Sequence, residues 1–196
     1  MVVQPTLAEN FLVVIGESAW VFSAGAQLVR LAKTHDTRGL SAVTQTLNAA
    51  GNIGWCTYFA MNHLWFPFVT NILLLLLTVG ALNYTLHNRR QFVRGMIAIA
   101  IIGPFTALAL TTFPLASGWL AMLYNWIASA PWMIRVIRYK KTSGISVHSL
   151  YWSLVAMSFT LTYAILIHSA PLITTCIEGL LYQAVIMRYY YRYRHH

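Results

Sequence analysis

The chain has 196 residues, 58% hydrophobic and 9% charged, with 13 Lys and Arg against four Asp and Glu. Soluble domains carry about 25% charged residues, so a soluble globular enzyme is excluded and a polytopic membrane protein interacting with the lipid bilayer is expected. The formal charge of +9 sits in short loops between oily segments, which argues against nucleic-acid binding because no basic domain stands outside the membrane.

Hydropathy predicts seven spans, near residues 9–30, 41–61, 65–87, 92–113, 117–138, 146–167 and 170–191. At about 1.5 Å per residue each is long enough for a hydrocarbon core of about 30 Å. The first span follows an N-terminus without the basic start of a cleavable signal peptide. Arg30, Lys33 and Arg38 flank the first connection, Arg89, Arg90 and Arg94 the third, and Arg135, Arg138, Lys140 and Lys141 the fifth. Arg188, Arg192 and Arg194 close the chain. All 13 Lys and Arg therefore fall on one side of a seven-span arrangement. The positive-inside rule makes that side cytosolic, with the N-terminus outside and the C-terminus inside. The second and sixth connections, near Met61–Leu64 and His168–Ala170, read as tight turns. The tyrosines interleaved with arginine after Ile186 read as an aromatic belt with snorkelling cations. His195 and His196 are native or a tag remnant.

Lys33–Ser41 recurs, altered, as Arg138–Ser146, an offset of 105 residues (Ser41 to Ser146). Each copy follows one apolar segment and leads into another. The same offset superposes spans five to seven on spans one to three and leaves span four, with Pro104 as an expected kink, as a linker. The layout is an all-α membrane protein of 3+1+3 helices: a first triplet over 1–90, a linker helix over 91–115 and a second triplet over 116–196. An odd linker lets both triplets enter the membrane in the same direction, as parallel repeats do.

Ala26-Gln27 and Pro131-Trp132 precede Gly39-Leu40-Ser41 and Gly144-Ile145-Ser146 at matching distances. This resembles the PQ-loop superfamily, which includes SWEET and SemiSWEET sugar transporters and cystinosin-like exporters. Its motif is Pro-Gln near the cytosolic end of a helix, a basic loop, then Gly or Asp, an apolar residue and Ser. Each copy here keeps one half of the dipeptide. The family's proline is a hinge, since proline deletes a backbone hydrogen bond. Ala26 removes it from the first half and Pro131 keeps it in the second, so the second triplet is expected to lead any conformational change.

The resemblance implies a solute site formed by a Trp on the second helix and an Asn on the third, which fall on Trp55 and Asn71. Trp55 lies about 14 residues, or about 21 Å, above the start of its helix, and Asn71 about 6 residues, or about 9 Å, below the other end of the next. The two depths nearly sum to the core thickness of about 30 Å. Gln45, Asn48, Asn52, Trp55 and Phe59 recur at spacings of three and four, one helix face. An indole stacks on a sugar ring or covers a cation, and a carboxamide donates and accepts at once; Phe59 packs or gates. The second-half counterparts of Trp55 and Asn71 are Thr160 and Cys176, which makes the site asymmetric. Asn125 and Trp152 are candidates to compensate.

Glu17 and Glu178 fall within spans, where a charge costs several kcal/mol and such residues pair, protonate or line water. Both are proton-coupling candidates, as acids in cystinosin-like relatives are. Glu178, about 200° around its helix from Cys176, is expected to face a neighbouring helix. No nucleophile–base pair, metal cluster or cofactor motif is present, and Cys56 and Cys176 lie inside spans. The expected activity is alternating-access transport of a small polar solute, a sugar by uniport or an amino acid or related metabolite by proton coupling. It is not an enzyme, and it needs no cofactor or metal. A KDEL-receptor-like sorting role fits less well, because the outer half lacks the Lys or Arg that would hold a peptide terminus. The expected location is a prokaryotic inner membrane; an oligomer is neither required nor excluded.

Overall fold

The computed structural model describes residues 7–37, 40, 42–86, 89–112, 117–140, 142 and 145–193. Among them run seven helices: α1 (Leu7–Thr34), α2 (Ala42–Met61), α3 (Trp65–Thr85), α4 (Arg89–Thr112), α5 (Ser117–Tyr139), α6 (Val147–Leu166) and α7 (Ala170–Tyr193). Four of them, α1, α3, α6 and α7, are long and apolar enough to cross a membrane. The seam-forming helix α2 falls outside that set because its sequence spends positions on Gln45, Asn48 and Asn52. Phe11 and Phe22 on α1, Leu73 and Leu76 on α3, Ile97 and Ile101 on α4, and Leu181 on α7 are exposed. Glu17, Ser23, Thr70, Asn71 and Gln183 are buried. Apolar side chains outward and polar ones inward is the arrangement of a protein whose solvent is lipid.

The helix ends repeat as the sequence does. His35, His63, Lys140 and His168 all have positive φ, between 50° and 57°, and pair at the same 105-residue offset (His35 with Lys140, His63 with His168). The His35 N–H bonds the Leu31 carbonyl and the Lys140 N–H the Val136 carbonyl, the single-bond left-handed cap that ends α1 and α5. After α2, the Leu64 and His63 N–H groups bond the Phe59 and Ala60 carbonyls; after α6, Ser169 and His168 bond Ala164 and Ile165. Both are Schellman caps, and they produce the two tight turns. The loop-end cluster of Leu31, Leu40, Ala81 and Tyr84 has its counterpart, residue for residue, in Val136, Ile145, Ile186 and Tyr189.

Packing follows the same exchange. Replacing α1 by α5, α2 by α6 and α3 by α7 carries the interfaces α1·α3, α2·α3 and α1·α6 onto α5·α7, α6·α7 and α5·α2. Ser23 meets Ser149 and Ser153 while Gly16 lies against Thr160, so α1 and α6 run antiparallel. Gly51 lies against Asn125 and Gly118 against Tyr58, so α2 and α5 do as well. Glu17 with Thr70 and Leu28 with Gly80 make α1 and α3 parallel; Gly118 with Pro171 and Val136 with Ile186 do the same for α5 and α7. Within α1–α3 and within α5–α7 the first and third helices thus run parallel, and each set packs antiparallel helices against the other. At the seam α1·α6, Gly16 lies against Thr160 and Ser23 against Ser149 and Ser153, with Ala19 and Ala156 buried on the two helices; small residues let two backbones approach closely where apolar burial gives no gain. Helix α4, with Pro104 inside it and exposed, packs on the flank of α2.

Candidate functional site

A cavity of about 340 Å³ lies between the triplets, lined from α1, α2, α3, α5, α6, α7 and the loop residues Leu40 and Ile145. The whole predicted face of α2 lines it: Gln45, Asn48, Asn52, Trp55 and Phe59. Asn71 and Thr78 face it from α3, Thr160 and Ser153 from α6, and Cys176 from α7. Of the residues that the sequence offered for solute contact, Asn48, Asn52, Trp55, Phe59, Asn71, Asn125, Thr160 and Cys176 are brought to one wall or another of this space, and Trp152 is not. The helical period explains this directly, since residues three and four apart share a face.

The details divide these residues by what they have left to offer. Trp55, only 5% exposed, stacks on Phe59 at 5.6 Å and meets Tyr58 edge-on at 5.5 Å. Asn71 donates one amide hydrogen to the Pro67 carbonyl at 2.9 Å, which leaves a carboxamide the capacity for further bonds. Asn52 Nδ2 reaches Thr78 Oγ1 at 3.4 Å, a long bond that a better acceptor displaces. Trp132 Nε1, Thr160 Oγ1 and Glu178 Oε1 are buried without a partner among the described residues, and all three side chains line the cavity. Buried polar atoms ordinarily find partners, so three open valences in one space are an invitation to a polar ligand.

Both acids of the candidate spans, Glu17 and Glu178, line the cavity. Glu17 is 4% exposed, and its Oε2 accepts a 2.7 Å bond from Thr70 Oγ1. Glu178 also faces the cavity, contrary to the expectation from its angle to Cys176. The lining face of α7 is broad, running through Leu172, Thr175, Cys176, Gly179 and Gln183, and Glu178 stands one turn beyond Thr175 at its edge. Among the described residues, no Lys, Arg or His lines the cavity.

Gln27 and Trp132, the second members of the two loop dipeptides, line the cavity; Ala26 and Pro131, their first members, are half-buried within α1 and α5 and do not. Gln27 Oε1 accepts a 2.9 Å bond from the Ser146 N–H, and Ser146 Oγ in turn caps α6 by accepting from the Ser149 N–H at 3.3 Å. The glutamine of the first triplet thus holds the helix start of the second. Trp132, at the equivalent position, is a donor only and packs instead in the cluster around Val136 and Leu150. Gly39, Ser41 and Gly144 of the two loops lie outside the described residues.

Sequence reasoning missed Trp20, Ser23, Ser129 and Ser149, all in the lining. The signal for Trp20 was present: Glu17, Trp20, Ala24 and Gln27 fall on one helical face. Asn125 lines the cavity from α5, whereas Trp152 is 41% exposed and packs on Phe22 at 5.2 Å on the outer surface, away from it. No family model, curated protein or solved structure matches the chain.

Proposed function

We propose that the chain is an alternating-access carrier of a small polar solute, built as seven membrane spans in a 3+1+3 arrangement of PQ-loop type. Its N-terminus is outside and its loop ends are in the cytosol of a prokaryotic inner membrane. The observation that carries this reading is the cavity at the seam of two repeated triplets, walled by both. A site so placed can be exposed to either side by rocking one triplet against the other.

The contacts across the seam suit such a motion, because they form separate sets at the two ends. Toward the α2–α3 and α6–α7 turns, Trp55, Phe59, Ala121, Met122, Ala164 and Leu172 form one apolar cluster, and Tyr58 bonds Ser169 at 3.0 Å. Toward the basic loops stand the Gln27–Ser146 bond and the Ser23–Ser149–Ser153 cluster. Opening one set while keeping the other exposes the cavity to one side only. In the SWEET-like mode the solute is a sugar moved by uniport, with Trp55 and Asn71 holding it and Asn48, Asn52, Phe59, Thr160 and Cys176 completing the wall.

A second reading, proton-coupled transport of an amino acid or related metabolite, is favoured by Glu17 and Glu178 in the lining. The titratable groups around them are Cys176 beside the cavity, Cys56 and Tyr163 within electrostatic reach of Glu17, and Tyr182 within reach of Glu178. Purified protein in proteoliposomes, given labelled hexoses, disaccharides and amino acids with and without an inward proton gradient, separates the readings. Sugar uptake indifferent to the gradient supports uniport; gradient-driven uptake that Glu178→Gln uncouples supports the second. Absence of any flux with binding intact refutes both.

A further inference from the structure

The lining has a charge character that neither a sugar nor an amino acid matches. Among the described residues it contains two carboxyl side chains, three indoles (Trp20, Trp55 and Trp132) and a phenyl ring, and no Lys, Arg or His. The acids come from opposite triplets at nearly one level. Glu17 is bonded to Thr70 of α3. Glu178 of α7 stands where the 105-residue offset puts position 73 of α3, three residues further along. That difference is about 4.5 Å. Asn71 and its counterpart Cys176 lie in the same layer.

A neutral sugar offers no charge to two carboxyl groups, and does not offset the cost of keeping either of them ionised away from water. A zwitterionic amino acid brings a carboxylate of its own, and the described residues of this cavity offer it no cationic partner. A positively charged solute answers both points: it neutralises the acids, and its charge is attracted to aromatic faces. We infer that the solute is a small organic cation without a carboxylate, an amine or quaternary ammonium compound, held between Glu17 and Glu178 and covered by the indoles of Trp20 and Trp55. The carboxamides of Asn48, Asn52 and Asn71 then serve its hydroxyl or N–H groups. This inference rests on the carrier reading only in taking the cavity as the solute site.

The test is isothermal titration of the full chain in nanodiscs with choline and tetramethylammonium. The comparators are 3,3-dimethylbutan-1-ol, the uncharged isostere of choline, and glycine betaine, which adds a carboxylate. The cations are expected to bind at least about tenfold more tightly than either comparator, about 1.4 kcal/mol. Glu17→Gln and Glu178→Gln are expected each to weaken choline by about tenfold and to leave the alcohol unchanged. If a variant does not fold, the comparison on the unaltered chain decides alone. Equal binding of choline and its isostere, or no binding of either cation, overturns the inference. Glucose flux that survives both Glu→Gln changes overturns it too while leaving the carrier standing. Choline binding without flux of any labelled solute leaves the inference standing and removes the carrier.

Discussion

Gly16 is the point at which the seam between the triplets is least forgiving. A Cβ built there stands 2.9 Å from Thr160 Oγ1, 3.2 Å from the Thr160 backbone nitrogen and 3.4 Å from Phe159 Cβ. Rotating the Thr160 side chain relieves the first contact but not the second, so Gly16→Ala has to push α1 and α6 apart. Overpacking of this kind costs about 1–3 kcal/mol, against a helix-propensity gain of about 1 kcal/mol for alanine over glycine. Gly25 on the same helix supplies the control, since a Cβ there meets nothing within 4 Å and Gly25→Ala keeps only the gain. The two variants should therefore differ by about 1–3 kcal/mol, or roughly 2–12 °C in melting temperature for a chain of this size. Thermal unfolding in detergent, followed by intrinsic tryptophan fluorescence, measures the difference. Equal stabilisation by both substitutions would refute the close packing of α1 on α6 and with it the seam that frames the cavity.

Gln27→Leu removes the acceptor for the Ser146 N–H and weakens the closure at the loop end by about 0.5–1.5 kcal/mol. Spin labels at Lys33 and Lys140, both exposed, should then report a roughly two- to tenfold larger population of the longer separation; an unchanged distance distribution contradicts this. Pro131→Ala restores a backbone donor inside α5 and should slow transport if the second triplet leads, whereas a wild-type rate removes the hinge role. Cys176 lines the cavity and Cys56 does not. A small methanethiosulfonate reagent should therefore inhibit a Cys56→Ser protein and spare a Cys176→Ser one, with solute protecting the first; equal inhibition of both would contradict the placement of Cys176.

The parts of this molecule that the sequence made legible are those governed by local rules. The recurring Lys33–Ser41 and Arg138–Ser146 stretches announced the duplication, and the caps at His35, His63, Lys140 and His168 carry it into the backbone without a single glycine. The α2 face was legible because three amides and two rings at helical spacing have no place against lipid. What stayed hidden depends on how helices turn toward one another. Trp20 was passed over because the direction of α1 is set by its small-residue contact with α6, a pairing that no local signal specifies. Glu178 was misplaced because its angle was measured from Cys176 alone, and the breadth of the α7 face appears only once Gly179 lets Met157 approach. Gln27 was expected as half of a hinge dipeptide; its reach to Ser146, 119 residues away, is a consequence of the tertiary exchange between triplets.

Counterflow tests the central claim most directly. Proteoliposomes preloaded with unlabelled solute and then given a trace of the labelled form should take up label faster than empty ones, because a carrier returns quickest when its site is occupied. Trp55→Ala and Asn71→Ala should abolish that acceleration. Uptake of label at the same rate with or without preloading would describe a pore, and binding without uptake a receptor; either result would contradict an alternating-access site between the two triplets.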